Sequence, residues 1–104
     1  MSGKFSLQAA PKFKQKVDIP VHGAAAAVVE FEFKHRTREQ MNEWLESIKG
    51  KPDSEVLAGC VTDWDLDDPC EQKSFELLTE NYAGAASVIV SVYVSELLQA
   101  REKN

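Results

Sequence analysis

Cysteine and histidine are scarce in this chain, two of each among 104 residues, and long apolar runs are missing altogether. Cys60 and Cys70 are too few for a disulfide framework and have no second pair at zinc-ligand spacing, so both read as reduced thiols at helix-packing positions. His22 and His35 have no other His or Cys at ligand spacing, so neither a metal nor any other cofactor is expected. No stretch approaches the ~20 apolar residues needed to span a bilayer, and the N-terminus lacks a signal-like apolar region; the expectation is a cytoplasmic protein with no membrane partner. A surplus of basic charge is missing too. The formal net charge of −5 argues against nucleic acid as a partner, because phosphate binding needs a basic footprint. What is present is 43% apolar and 28% charged residues, the composition of a soluble globular domain with one small core.

The expected class is α+β: an N-terminal β-hairpin followed by about four α-helices, mostly helical. Residues 1–10 read as a flexible N-terminal arm and residues 11–104 as a single domain. Between Phe13 and Val21 the apolar content falls mainly on odd positions, and Pro20 near the end argues for an edge strand. A second strand, ending at Lys34, carries Ala27, Val29, Phe31 and Phe33 on one face. Centring the turn on Gly23 sets Val17 opposite Val29, Ile19 opposite Ala27, Lys16 opposite Glu30 and Lys14 opposite Glu32. Both faces then agree, and a one-residue slip would turn apolar groups to water. The hairpin is expected over 12–34.

Thr37 stops the second strand. With Gln40 it has the spacing of a reciprocal capping box, and Met41, Trp44, Leu45 and Ile48 follow on one helical stripe. Gly50 and Pro52 end that helix, expected over about 38–49. Asp53 or Ser54 starts a second, about 54–63, with Val56, Leu57, Cys60 and Val61 on one side. Asp68 and Pro69 start a third, about 69–81, with Phe75, Leu78 and Tyr82 expected inward. The run from Ser87 to Ser95 has the propensity of a strand, yet Ala85, Ile89, Val92, Tyr93 and Leu97 also fit helical spacing. The good helix formers after Glu96 favour one helix over about 84–102.

The order of elements and several strings resemble the small tail assembly chaperones of long-tailed bacteriophages and prophages. The strings are Phe31-Glu-Phe-Lys-His-Arg-Thr37, Trp64 with Leu66-Asp67-Asp68-Pro69, Glu80-Asn-Tyr82 with Gly84-Ala-Ala86, and Ala100-Arg-Glu-Lys-Asn104. Ala83 stands where the family often has proline, and the residues Ala24 to Ala27 are poorer in Gly and Asp than the usual hairpin loop. The resemblance implies a non-catalytic binding protein of virion assembly in the cytoplasm of the bacterial host, absent from the mature virion. Its implied partners are the tape measure protein, which it keeps soluble, and the tail tube protein, which it helps to recruit. A small acidic adaptor, or an antitoxin-like regulatory protein masking a basic partner, is the competing class.

Candidate partner-binding residues are Lys34, His35, Arg36 and Arg38, a basic knot at the strand-helix joint, together with Trp64 and the Val88, Val92, Ser95 face of the last helix. The knot also reads as a solvated corner pairing with Glu30, Glu32 or the Asp-rich loop. Trp44 on its apolar stripe reads as core, whereas Trp64, flanked by aspartates in a connector, reads as core or contact equally well. The Val88 face packs inward, against a tape measure helix, or against a second copy of the chain. Asp63-Trp-Asp65-Leu-Asp67-Asp68 has the look of a calcium loop but lacks its sixth-position Gly and twelfth-position Glu. A cysteine nucleophile with His35 as base lacks an orienting third group and an oxyanion hole.

Overall fold

The computed structural model describes residues 7–98; most of the expected N-terminal arm, residues 1–6, and the expected last turn of the final helix lie outside the described residues. The elements run β1 (Lys12–Ile19), β2 (Ala27–Lys34), α1 (Arg38–Ser47), α2 (Asp53–Ala58), β3 (Val61–Trp64), α3 (Gln72–Asn81) and α4 (Ala85–Leu98). The strands form one antiparallel sheet in the order β1-β2-β3, so β1 is an edge strand. The α+β class holds, but helix accounts for only 43% of the described residues, so "mostly helical" overstates it.

The hairpin has the register that the alternation demands: Val17 faces Val29, Ile19 faces Ala27, Lys16 faces Glu30 and Lys14 faces Glu32. Gly23 adopts φ +69° in the connecting loop, a conformation open to glycine and strained for other residues. Val17, Ile19, Val29, Phe31 and Phe33 are buried, which is what pins the register. The Glu32 carboxylate is joined by Lys12 at 3.9 Å, a diagonal rather than a direct neighbour, and such an exposed pair contributes little.

The capping box is formed: Gln40 N–H donates to Thr37 Oγ1 at 3.1 Å and Thr37 N–H to Gln40 Oε1 at 3.0 Å. Met41 and Trp44 are buried, with Leu45 and Ile48 packed partly against the core. Gly50 follows the helix at φ +82°, reversing the chain. The expected side-chain cap of the second helix is absent. Pro52 holds the N-cap position in extended conformation, and the Ser54 hydroxyl is buried, accepting from Gln72 Nε2 at 3.1 Å.

The expected helix over 54–63 is corrected to a short helix and a strand. Gly59 caps α2, donating to both Glu55 and Val56 carbonyls, and the chain then turns out along β2. Lys34 N–H donates to the Cys60 carbonyl at 2.9 Å, Phe33 pairs with Val61, Glu32 with Asp63 and Phe31 with Trp64. The register shift between Glu32 and Phe33 makes Thr62 the extra residue of a bulge, so that Val61 and Trp64 both point inward although three positions apart. Cys60 is therefore core at the entry to a strand, and Cys70 lies in the segment before α3, packed against the core; neither lies on a helix.

The start of α3 is also corrected, from 69 to Gln72, with Glu71 as an N-cap that makes no side-chain bond. The physical reason is Trp64, whose indole Nε1 donates to the Asp68 carbonyl at 2.7 Å and ties the loop to the end of β3. Phe75 enters the core, while Tyr82 stays exposed. The Ser87–Ser95 ambiguity resolves as helix. α4 lies against β1 and buries Ala85, Ala86, Ile89 and Tyr93, with its valines partly covered, and burial on more than one side suits a helix that is apolar nearly all round.

Gly59 is needed for a close approach. A Cβ there would sit 2.9 Å from Trp44 Nε1. Gly59→Ala is expected to lower stability by about 1–3 kcal/mol, read as a shifted urea midpoint at unchanged slope.

Candidate functional site

Two regions concentrate polar chemistry, the strand-helix joint and the loop that precedes α3. At the joint, Arg36 turns inward. Its guanidinium carbon lies 4.6 Å from the centre of the Trp44 ring, and its Nη1 donates to the Tyr93 hydroxyl at 2.9 Å. The Tyr93 hydroxyl in turn donates to the Lys34 carbonyl at 2.8 Å. Tyr93 is fully buried, and its ring meets Phe33 at 5.1 Å, Trp44 edge-on at 5.4 Å and Phe13 at 6.3 Å. His35 N–H donates to the Pro11 carbonyl at 2.9 Å, which fixes the entry of β1 beside the joint. Arg36 is thus held by α1 and α4 through the Trp44 ring and the Tyr93 hydroxyl.

Burial pushes the Tyr93 phenol above its ordinary pKa, against the opposing pull of the Arg36 charge. Burial likewise pushes the Cys60 thiol up to about 12, with Arg36 again pulling the other way. The Cys70 thiol is raised to about 11 by burial and by the carboxylates of Asp63 and Glu32. Both cysteines are therefore protonated thiols near neutral pH, the unreactive form. Among the described residues, no group of three or more His, Cys, Asp or Glu side chains could hold a metal ion.

The second region is an open cleft along α3. The loop Asp65–Glu71 runs beside the helix, anchored by the Trp64–Asp68 bond and by the Trp64 ring, which meets Phe31 at 6.1 Å and Phe75 at 5.3 Å. Leu66, Leu77 and Tyr82 are 39%, 59% and 40% exposed around it.

A family model described as phage tail assembly chaperone matches residues 1–104. The chain belongs to that family. No curated protein and no solved structure matches.

In this tail assembly chaperone the residues of the basic knot do not act as a unit. Lys34 and Arg38 face solvent, His35 is half-buried, and Arg36 is committed to the aromatic core. Trp64 is buried at the end of β3, not in a connector, and its indole N–H is already used. Val88, Val92 and Ser95 on α4 are half-buried, the two valines packed against the core. Leu77 and the carboxylates beside it were not among the candidates. The signal for them was modest: Leu77 falls outside the inward Phe75 and Leu78 stripe of its own helix.

Tyr93→Phe is expected to cost about 1–3 kcal/mol, because it leaves the Arg36 donor and the Lys34 carbonyl short of a partner. A double-mutant cycle with Arg36→Ala by urea denaturation should return a coupling of about 1 kcal/mol. The raised pKa values set a pH window. The folded chain holds the Cys60 proton more tightly than the unfolded chain does, so the thiol's contribution is complete below its ordinary 9.0 and is lost as pH rises towards about 12. Unfolding midpoints should be flat near neutral pH and fall above pH 9.0, with a shallower fall in Cys60→Ala, where the Cys70 and Tyr93 parts remain.

Proposed function

We propose that this tail assembly chaperone works by reversible, non-catalytic binding of the tape measure protein in the cytoplasm of the bacterial host. It holds that protein soluble until the tube encloses it and helps to recruit tail tube subunits, and it does not remain in the mature virion. The observation that carries this reading is the family match over the whole chain. Physical support comes from the surface. A tape measure protein is a long helix whose apolar stripes associate with one another while uncovered, and a small acidic protein with apolar side chains left open can cover such a stripe and lend it charge. The half-buried Val88, Val92 and Ser95 and the solvated Lys34 and Arg38 are further surfaces available to a partner or to a second copy. Neither thiol is poised as a nucleophile, in keeping with a binding role.

The test is co-expression with the tape measure protein of the same source, followed by measurement of its soluble fraction and a pull-down at low salt and at about 0.5 M salt. The expected result is a soluble, co-purifying complex that survives the higher salt. A tape measure protein that precipitates regardless, with capture instead of a compact basic protein that salt abolishes, would move the adaptor class ahead.

A further inference from the structure

The cleft along α3 has two adjoining hollows, of about 520 Å³ and about 190 Å³, which share Asp68, Ser74 and Leu77. The apolar lining is Pro69 and Leu77 in the larger hollow and Trp64, Leu66, Leu77, Leu78 and Tyr82 in the smaller, with Leu66, Leu77 and Tyr82 the most exposed. The rim of the larger hollow is Asp68, Glu71, Glu76 and Glu80 against the single cation Lys73. None of these charged groups is in an ion pair with another described residue, and of the rim carboxylates Glu76 accepts from Gln72 Nε2 at 3.2 Å.

We infer that this cleft is the docking surface for an amphipathic helix whose apolar stripe is flanked by lysine and arginine side chains. The inference rests on the chaperone reading and gives it a location and a partner chemistry. Charge complementarity names the flanks: unpaired carboxylates on the rim favour cations and repel an acidic helix. The backbone names the secondary structure. One wall of the cleft is α3, whose peptide groups already bond to one another, so that wall offers no row of donors and acceptors to an extended strand. A partner helix arrives with its own backbone satisfied. The ten residues of α3 span about 15 Å, enough for about three turns of a partner. A second copy of this chain fits poorly, because a two-fold pairing would bring the two carboxylate rims together. The apolar contact carries affinity, and the rim selects the sign of the partner's charge.

The experiment titrates the isotope-labelled full chain with a leucine-lysine amphipathic peptide of about 18 residues, and with a leucine-glutamate peptide of equal length, following amide shifts. The expected result is that the lysine peptide alone binds and moves Leu66, Leu77 and Tyr82. Leu77→Ala should weaken it about fivefold and the pair Glu76→Lys, Glu80→Lys about tenfold at low salt. These positions are exposed, so the variants should keep the parent's amide spectrum elsewhere. Equal binding of the glutamate peptide, or shifts confined to the sheet or to α4, would overturn the inference. Co-expression with the tape measure protein separates the two levels. Rescue by the parent but not by the charge-reversed variant supports the cleft. Rescue by both overturns the cleft and leaves the chaperone reading standing, whereas rescue by neither removes the chaperone reading and lets the titration alone judge the cleft.

Discussion

The Tyr93 hydroxyl, set between the Arg36 guanidinium and the Lys34 carbonyl, is the constraint on which the rest of the structure depends. A buried hydroxyl without partners would cost more than a bond normally contributes, so the pair of bonds fixes where α4 can lie relative to the end of β2. The ring then locates Phe13 on β1, Phe33 on β2 and Trp44 on α1, one aromatic side chain from each element that packs around it. Trp44 in turn requires Gly59, because a methyl group at that position would collide with the indole. The turn at Gly59 releases the chain into β3, and Trp64 at the end of β3 pins the loop beside α3. The cleft is therefore downstream of a single polar bridge some distance away in the core.

This arrangement separates two jobs that a small binding protein must reconcile. The aromatic core consumes the one arginine of the basic knot that points inward, and the Trp64 loop consumes the second tryptophan. An acidic rim with the apolar side chains of Leu66, Leu77 and Tyr82 stays open beside a helix whose inner face is secured by Phe75 and Leu78. Rigid support below an open apolar surface is what reversible helix binding asks for, since a preformed groove lowers the ordering cost of association.

Legibility followed the range of the interaction that decides each element. The hairpin register was readable because alternation and charge sign act between residues that a short turn brings together, as Val17 with Val29 and Lys16 with Glu30 show. The capping box at Thr37 and Gln40 was readable for the same reason. β3 was misread as helix because Val56, Leu57, Cys60 and Val61 do share a helical stripe; only the vacant edge of β2, distant in sequence, draws Val61 to Trp64 into a strand. The start of α3 was misplaced because Asp68 and Pro69 are good local start signals, and the indole bond from Trp64 overrides them. Arg36 was legible only as one of the four residues of the basic knot, whose ion-pair partners were sought among carboxylates. A tyrosine 57 positions away cannot be paired with it from spacing.

By itself the sequence determined the α+β class, the edge strand and its register, the capped first helix and the resemblance that the whole-chain family match bears out, since all of these rest on local periodicity, capping chemistry and residue order. Only the tertiary structure decided the third strand, the inward turn of Arg36 and the unpaired acidic rim around Leu77. Each of those depends on which distant groups come to share a low-dielectric interior or an uncovered surface, and that is settled by packing rather than by pattern.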